Sequence, residues 1–173
     1  RILPSGAEGE PAVEDGAVTV KNPCLSGGAL EIFLKPHLPA GTLRVVGTTP
    51  IARALADLGR RVGYAVEQGP AESTEPRAGD AAVLVASHGR DEERILTLAL
   101  RDEVPYVGLV ASEKRGDAVK QSLDLDDELR DRLHTPAGLE IGAETPEEIA
   151  LSIVAEVGEN VTLKLDWGPR YRR

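Results

Sequence analysis

The segment 81-AAVLVA-86 is an uninterrupted apolar run, typical of a β-strand that is buried on both faces of a sheet. A polar loop, 87-SHGR-90, follows it, and the pattern then predicts a helix over residues 91–101. Strands of this kind occur in parallel sheets whose two faces are covered by helices. The stretch therefore favours an α/β fold with a parallel sheet.

The same alternation of strand and helix extends towards the amino terminus. The segment 43-LRVV-46 predicts a strand, and Thr49-Pro50 opens a helix with an N-cap followed by a proline at its first position. Residues 64–66 predict the next strand, while residues 67–79 are polar, rich in Gly and Pro, and predict no element. The sequence leaves open which of these two strands lies beside the 81–86 strand.

Downstream, residues 104–110 predict another strand, and Ser112 is placed to cap a helix through about Leu123. Residues 124–134 are charged and predict a short helix. The glycine-flanked segment 138-GLEIG-142 reads as a short extended piece before the last helix. Strand and helix thus alternate four times, which is the pattern of a doubly wound α/β sheet.

The last helix has the clearest start signal in the chain. Thr145 and Glu148 form a capping box around Pro146, where the missing N–H of proline has no cost. Apolar residues then recur at helical spacing and form one face, consisting of Ile149, Ile153, Val154 and Val157.

The amino-terminal part has a different character. Residues 1–16 are rich in Gly, Glu, Pro and Ala and are predicted to be a flexible lead-in. Residues 17–21 predict a strand and residues 30–34 a second apolar run, and residues 36–41, with two prolines, are interpreted as a linker.

Composition narrows the function classes. The chain has 173 residues, of which 41% are hydrophobic and only 3% aromatic, so the core is aliphatic and stacking on single-stranded nucleic acid is disfavoured. The net charge of -9 argues against binding to duplex phosphates. No apolar run is long enough for a membrane span. The single cysteine, Cys24, excludes an intrachain disulfide, and we expect a cytoplasmic protein.

Ligands of such a sheet bind beyond the carboxyl ends of its strands. The first loop there is a degraded dinucleotide fingerprint, Gly47, Thr49 and Ala52, in which threonine replaces the second glycine. Thr48 and Thr49 still offer hydroxyl groups and N–H groups at a helix N-terminus, which suits an anion. Glu67 lies 20 residues after Gly47, where a ribose-binding acid is expected.

Two further loops offer polar groups. In 87-SHGRDE-92, neighbouring side chains point in opposite directions, which argues against a catalytic triad, so we interpret Ser87, His88 and Arg90 as polar groups over a cleft. In 111-ASEKRG-116, the residues Ser112, Lys114 and Arg115 open a helix and favour a phosphate or another acidic ligand.

Three residues lie outside these loops. Cys24, near Gly27-Gly28, is either a reactive thiol, a soft-metal ligand or a quiet buried residue. His37 and His134 are isolated in the sequence and receive no role.

Four segments carry a family resemblance: 26-SGGALE-31, 83-VLVASHGRDEERILTLAL-100, 106-YVGLVASEKR-115 and 136-PAGLEIGAETPEEIALSI-153. Together they resemble the XdhC/CoxI family of accessory proteins for molybdenum hydroxylases. The resemblance implies a Rossmann-like domain over residues 42–158, a remnant of the family's amino-terminal domain over 17–38, and a carboxyl-terminal tail over 159–173.

The resemblance also implies a function. Members of this family bind the molybdenum cofactor, a molybdopterin, and pass it to a xanthine or carbon monoxide dehydrogenase, and some support sulfuration of the metal, which implies a cysteine desulfurase as a further partner. Cys24 would approach the molybdenum. The implied cofactor site consists of Gly47, Thr48, Thr49, Glu67, Ser87, His88, Ser112, Lys114 and Arg115.

Two other interpretations stay open. An NAD(P)- or nucleotide-dependent oxidoreductase is supported by Glu67 and weakened by Thr49 in place of glycine. A docking module that holds a dehydrogenase without contacting cofactor would use the acidic surface and the basic tail 170-RYRR-173. The apolar residues Ile32, Phe33 and Leu34 would also suit a homodimer.

Overall fold

The structure, a computed structural model, describes residues 2–4, 12–14, 17–22, 32, 41–87, 89 and 91–161, in two compact units, Arg1–Pro39 and Ala40–Arg173. The first unit contains a sheet of three strands in the order β1-β3-β2, with β1 parallel and β2 antiparallel to β3. Their bounds are β1, Ile2–Pro4; β2, Ala12–Glu14; and β3, Ala17–Asn22.

These strands bear on three expectations for the amino-terminal part. The strand predicted at 17–21 is confirmed by β3. The predicted lead-in, residues 1–16, contributes β1 and β2. Of the predicted run at 30–34, only Ile32 is described, and its side chain is exposed. Phe33 and Leu34, the other two residues that would suit a homodimer, lie outside the described residues.

The second unit has five strands and five helices among its described residues. Their bounds in chain order are β4, Thr42–Val46; α1, Pro50–Arg61; β5, Ala65–Gly69; β6, Asp80–Val85; α2, Glu92–Arg101; β7, Tyr106–Leu109; α3, Glu113–Ser122; α4, Asp127–Asp131; β8, Leu133–His134; and α5, Pro146–Asn160.

The five strands form one parallel sheet in the order β5-β4-β6-β7-β8. The question that the sequence left open is therefore answered, because β6 lies beside β4 and not beside β5. The chain leaves β4 in one direction across the sheet and returns to β6 on the other side. This reversal of strand order places a crevice beyond the carboxyl ends of β4 and β6. The predicted α/β, Rossmann-like fold is confirmed.

Both faces of the sheet are buried, as the run at 81–86 predicts. Alternate residues of β6 point into two separate aliphatic clusters. One cluster joins Val83 and Val85 to Ile95 and Leu96 of α2. The other cluster packs the opposite face against α1 and α5 and includes Leu43, Val45, Leu55, Leu84, Ile153 and Val157.

The predicted extended piece at 138–142 is not a strand. Gly138 and Gly142 have φ values of +113° and +69°, and these left-handed conformations interrupt an extended backbone. The segment forms a loop held by a hydrogen bond from the Leu139 N–H to the Ser152 carbonyl oxygen, at 3.3 Å. The fifth strand is instead β8, inside the region where only a short helix was predicted.

The predicted helix starts are correct for α1 and α5. The Ala52 N–H donates to Thr49 Oγ1 at 3.1 Å. In α5 the Glu148 N–H donates to Thr145 Oγ1 at 3.2 Å, and the Glu148 carboxylate accepts from the Thr145 N–H at 2.9 Å. At α3, by contrast, Ser112 occupies the N-cap position without a capping bond from its side chain.

A buried guanidinium joins three strands. Arg44 lies in β4 and donates from Nε and Nη2 to the Asp80 carboxylate, at 2.6 and 2.9 Å, and from Nη1 to Glu67 Oε2, at 2.6 Å. The hydrogen bonds to Asp80 raise the pKa of Arg44, with a smaller contribution from Glu67. Because a buried charge is tolerated only when it is paired, this cluster fixes the order of the three strands.

The capping box gives a pH-dependent prediction. Hydrogen bonds from the backbone N–H groups of Thr145 and Glu144 lower the pKa of Glu148. Ionised Glu148 therefore stabilises the fold above about pH 4.3, the ordinary Glu pKa, and this stabilisation is lost as the pH falls through the folded-state pKa. We expect Glu148→Gln to lower the thermal midpoint at pH 7, and the difference from wild type to shrink in acid.

Thermal unfolding at a series of pH values between about pH 3 and pH 8 measures the difference in midpoint between wild type and Glu148→Gln. The matched control is Glu147→Gln, which changes an exposed carboxylate in the same helical turn. A difference between wild type and Glu148→Gln that stays constant across this range would contradict the assignment.

Candidate functional site

The crevice beyond β4 and β6 is closed tightly at its base. Gly47 has a φ of +136°, and a Cβ atom there would overlap the Ala86 carbonyl oxygen. The Gly47 N–H donates to the Gly69 carbonyl oxygen at 2.8 Å. Glycine is thus required where the loops after β4, β5 and β6 approach one another.

The threonines of the first loop have different surroundings. Thr49 Oγ1 accepts the Ala52 N–H and donates to the Ala86 carbonyl oxygen at 2.9 Å, so this hydroxyl group ties α1 to the loop after β6. The Thr48 side chain is exposed, and its backbone carbonyl oxygen accepts from Arg53 at 2.8 Å. Of the two predicted hydroxyl groups, that of Thr49 is already used within the protein.

Glu67 lies at a different place from the one predicted. The sequence placed it at the end of its strand, but β5 continues to Gly69, and Glu67 is its central residue. Its carboxylate is paired with Arg44 and lies 3.7 Å from Arg77 Nη1. The 20-residue spacing from Gly47 is that of a ribose-binding acid, but the buried Arg44 on the neighbouring strand engages this carboxylate.

A buried carboxylate that the sequence interpretation missed organises the second and third loops. Glu92 begins α2 and is only 1% exposed. It accepts from Ser87 Oγ at 3.0 Å and from the Gly89 N–H at 2.9 Å, and it pairs with Arg115 of α3. The available signal was its spacing, because Glu92 precedes the buried Ile95 and Leu96 by three and four residues and so lies on the apolar face of α2.

The remaining predicted residues are only partly brought together. Ser112 and Lys114 are exposed at the start of α3, and Lys114 has no ion pair with any residue that the structure describes. His88, Arg90 and Cys24 lie outside the described residues. In the described part of the chain, no group of three or more His, Cys, Asp or Glu side chains could hold a metal ion.

Beside these loops an open pocket of about 470 Å³ lies at the carboxyl edge of the sheet. Its volume falls within the range of small-molecule sites. Its walls come from the start of α1, the β7–α3 loop, the start of α3, the loop before α5, and α5 itself. They are formed by Ile51, Val110, Ala111, Ser112, Arg115, Pro136, Ala137, Gly138, Leu139, Glu140, Ile141, Ala143, Ile149 and Ser152.

A second carboxylate fixes the wall formed by the loop before α5. Glu156 accepts from the Tyr106 hydroxyl at 2.7 Å and from the Gly138 N–H at 2.6 Å, and it lies 3.0 Å from His134 Nδ1. His134 stacks on Tyr106 with ring centroids 4.3 Å apart. Burial, and secondly the bond to Glu156, raises the pKa of Tyr106 far above its ordinary value. His134, isolated in the sequence, therefore belongs to a network behind the pocket.

The residues that form this edge lie inside a region that matches a known family. Residues 43–157 match the model of the XdhC Rossmann domain. The chain belongs to the XdhC family. The matched region contains all but the first residue of the sheet, both aliphatic clusters and the lining residues of the pocket.

Two curated proteins are similar to parts of this chain. It is 29% identical over 171 residues to the uncharacterized protein YqeB of Escherichia coli K12, covering 83% of this chain and 31% of that protein. It is 37% identical over 78 residues to a probable xanthine dehydrogenase subunit of Bacillus subtilis 168, covering 45% of this chain and 22% of that protein.

A solved structure gives the same result for the fold. A crystal structure described as a xanthine dehydrogenase from Bacillus halodurans superposes with a TM-score of 0.60 and 25% identity, covering 76% of this chain and 46% of that one. The chain therefore spans less than half the length of each of these relatives. No helix of its described residues has the length and apolarity that crossing a membrane requires.

The network behind the pocket yields a stability prediction. Tyr106→Phe removes the hydroxyl donor from Glu156 and leaves a partly buried carboxylate with fewer partners. We expect it to lower the free energy of unfolding by about 1 kcal/mol or slightly more, the net contribution of one hydrogen bond, because the Gly138 N–H still bonds the same carboxylate oxygen. Urea unfolding measures the change.

Tyr64→Phe is the matched control, because Tyr64 is partly buried and its hydroxyl has no hydrogen bond to the described residues. We expect the control to change stability by less than about 0.5 kcal/mol. Equal losses in the two variants would contradict a structural role for the Tyr106–Glu156 bond.

Proposed function

We propose that this chain belongs to an accessory protein that holds the molybdenum cofactor while a molybdenum hydroxylase of the xanthine or carbon monoxide dehydrogenase type matures. The observation that carries the proposal is the match of residues 43–157 to the XdhC Rossmann domain, with a pocket at the edge where such sheets bind ligands. Two relatives are described as a xanthine dehydrogenase or part of one, which supports the proposed partner class.

The groups around the pocket fit the phosphate of a pterin cofactor. Arg115 supplies a guanidinium, whose fork of donors suits phosphate oxygens. Ser112 supplies a hydroxyl group and leaves the first turn of α3 without a side-chain cap. The N–H groups of that turn carry partial positive charge, and Lys114 adds a full one nearby. This ten-residue helix therefore presents a site suited to an anion.

The rest of the pocket fits the body of such a ligand. Ile51, Val110 and Ile149 offer apolar surface for a flat ring system, and Ser152 adds a polar group in the same wall. When bound, the cofactor would supply molybdenum chemistry to the partner enzyme. The protein would hold the pterin and its phosphate and limit access of water to them.

Other parts of the proposal rest on the family resemblance alone. Thr48, at the crevice between β4 and β6, and Ser87, held by Glu92, border the same edge of the sheet. Cys24 is proposed as a ligand that approaches the molybdenum, and His88 as a polar group over the cleft. A cysteine desulfurase is a proposed further partner, and a homodimer is a proposed assembly.

Cofactor content tests the proposal directly. We expect the chain, purified from a host that makes the cofactor, to retain pterin near stoichiometry, measured as oxidised-pterin fluorescence alongside molybdenum by elemental analysis. Replacing both Lys114 and Arg115 by Ala should reduce retained pterin by about tenfold or more, since charge-assisted bonds to a phosphate are lost.

Arg60→Ala is the matched control, because Arg60 is an exposed arginine in the last turn of α1 and pairs only with Asp57 among the described residues. Pterin retention should be unchanged in this variant. An absence of pterin in the wild-type chain, even after incubation with cofactor released from a purified molybdoenzyme, would refute the proposed function.

A further inference from the structure

Glu92 has an unusual position for a charged residue. It is 1% exposed and lies on the face of α2 that otherwise carries Ile95, Leu96 and Ala99 into the core. Its carboxylate receives the Ser87 hydroxyl, the Gly89 N–H and the guanidinium of Arg115. Three parts of the chain, the loop after β6, α2 and α3, therefore meet at this one side chain.

Fold stability alone does not account for this carboxylate. Burying an ionised group costs several kcal/mol of desolvation, and a buried ion pair is often no more stable than apolar residues of similar volume. An apolar side chain at position 92 would continue the face formed by Ile95 and Leu96. The charge is therefore better explained by what it holds in place.

What it holds is the cation of the pocket. Arg115 extends from α3 to Glu92, and its side chain remains 37% exposed and lines the pocket. Only Nη2 of Arg115 is bonded to a described residue, so Nε and Nη1 have no partner among the residues that the structure describes. A guanidinium fixed at one end in this way keeps two nitrogens available for an anion.

Another buried ion pair in this unit, that of Arg44, is a useful contrast. Arg44 is 2% exposed and uses Nε, Nη1 and Nη2 on Asp80 and Glu67, so its guanidinium is engaged within the fold. In the Glu92–Arg115 pair, the carboxylate is buried and the cation reaches the pocket. The Arg44 pairs join strands of the sheet, whereas the Glu92–Arg115 pair leaves the guanidinium of Arg115 at the pocket.

We propose that Glu92 is a positioning residue of the pocket: it orients Arg115 so that the free donors of its guanidinium receive the phosphate of the pterin ligand. Glu92 itself does not contact the ligand. The inference rests on the proposed function, because it specifies how the anionic group of that ligand is bound.

A double-mutant cycle in the full chain tests the inference. The variants are Glu92→Gln, Arg115→Ala and the two combined, with Glu93→Gln as the matched control, since Glu93 is the exposed neighbour of Glu92 on α2. The probe is pterin cofactor released anaerobically from a purified molybdoenzyme. Its dissociation constant is measured from the pterin retained on the protein, and thermal unfolding is recorded for every variant.

We expect Arg115→Ala and Glu92→Gln each to raise the dissociation constant by about tenfold. The combined variant should match Arg115→Ala within about twofold, because Glu92 acts only through Arg115. The thermal midpoint should follow a different pattern from the dissociation constant. Arg115→Ala leaves a buried charge unpaired and lowers the thermal midpoint, and adding Glu92→Gln should recover part of the loss. Glu93→Gln should change neither quantity.

Two results would overturn the inference while leaving the proposed function standing. One is weaker binding by Arg115→Ala with unchanged binding by Glu92→Gln. The other is a Glu92→Gln effect of the same size in the wild-type and Arg115→Ala backgrounds, which indicates a general structural role. Failure of the wild-type chain to bind the probe would instead refute the proposed function, and the inference with it.

If Glu92→Gln does not fold, Arg115→Lys tests the same point at a partly exposed side chain. A single ammonium can pair with Glu92 but has no second nitrogen for the phosphate. We expect a dissociation constant close to that of Arg115→Ala. A wild-type value for Arg115→Lys would overturn the inference.

Discussion

The parallel pairing of β4 with β6 is the constraint on which the rest of the second unit depends. It places the first strand of the sheet beside the third, with Val46 opposite Val85. The pairing is closed at its carboxyl end by the Ala86 N–H, which donates to the Val46 carbonyl oxygen at 2.8 Å. Because the chain crosses the sheet in opposite directions on either side of β4, α1 and α2 pack on opposite faces, and a crevice opens between their first turns.

Three buried or partly buried carboxylates then join elements of this unit. Asp80 of β6 pairs with Arg44 of β4, and Glu92 joins α2 to α3. Glu156 joins β7, β8 and the loop before α5. Each carboxylate connects elements that are distant in sequence. If its donors moved away, a carboxylate with little access to water would lose its hydrogen bonds, which costs free energy. The pocket is therefore bounded by loops whose positions are set by charges behind them, while its own lining stays partly apolar.

The fold was predictable wherever its signals are local. The strands at 43–46 and 81–86 follow from apolar runs, and the start of α5 follows from a capping box contained within four residues. β8 was not predictable in this way. It has two residues, Leu133 and His134, which become a strand only by pairing with Val107 and Gly108 of β7. Two residues are too few to show the alternation of apolar and polar side chains by which a strand is predicted.

The site was less predictable than the fold, for the same reason. The strand-end rule selected Gly47, Ser87, Ser112 and Arg115 as candidates, because it depends only on knowing where strands end. The rule did not identify the contacts of Glu92, because its partner Arg115 lies 23 residues further along the chain and no local pattern links the two. The spacing rule suggested a ribose role for Glu67, and a spacing along the chain does not reveal that this carboxylate also pairs with Arg44 on the adjacent strand.

These contacts also favour one loop over another for an anion. A dinucleotide fingerprint needs bare backbone at the start of α1, whereas here Thr49 already caps that helix and bonds to Ala86. At α3 the corresponding Ser112 makes no capping bond, and Arg115 reaches the same pocket with donors to spare. Since an anion competes poorly for N–H groups and hydroxyls that are already bonded, the uncapped first turn of α3 favours an anion more than the capped first turn of α1 does.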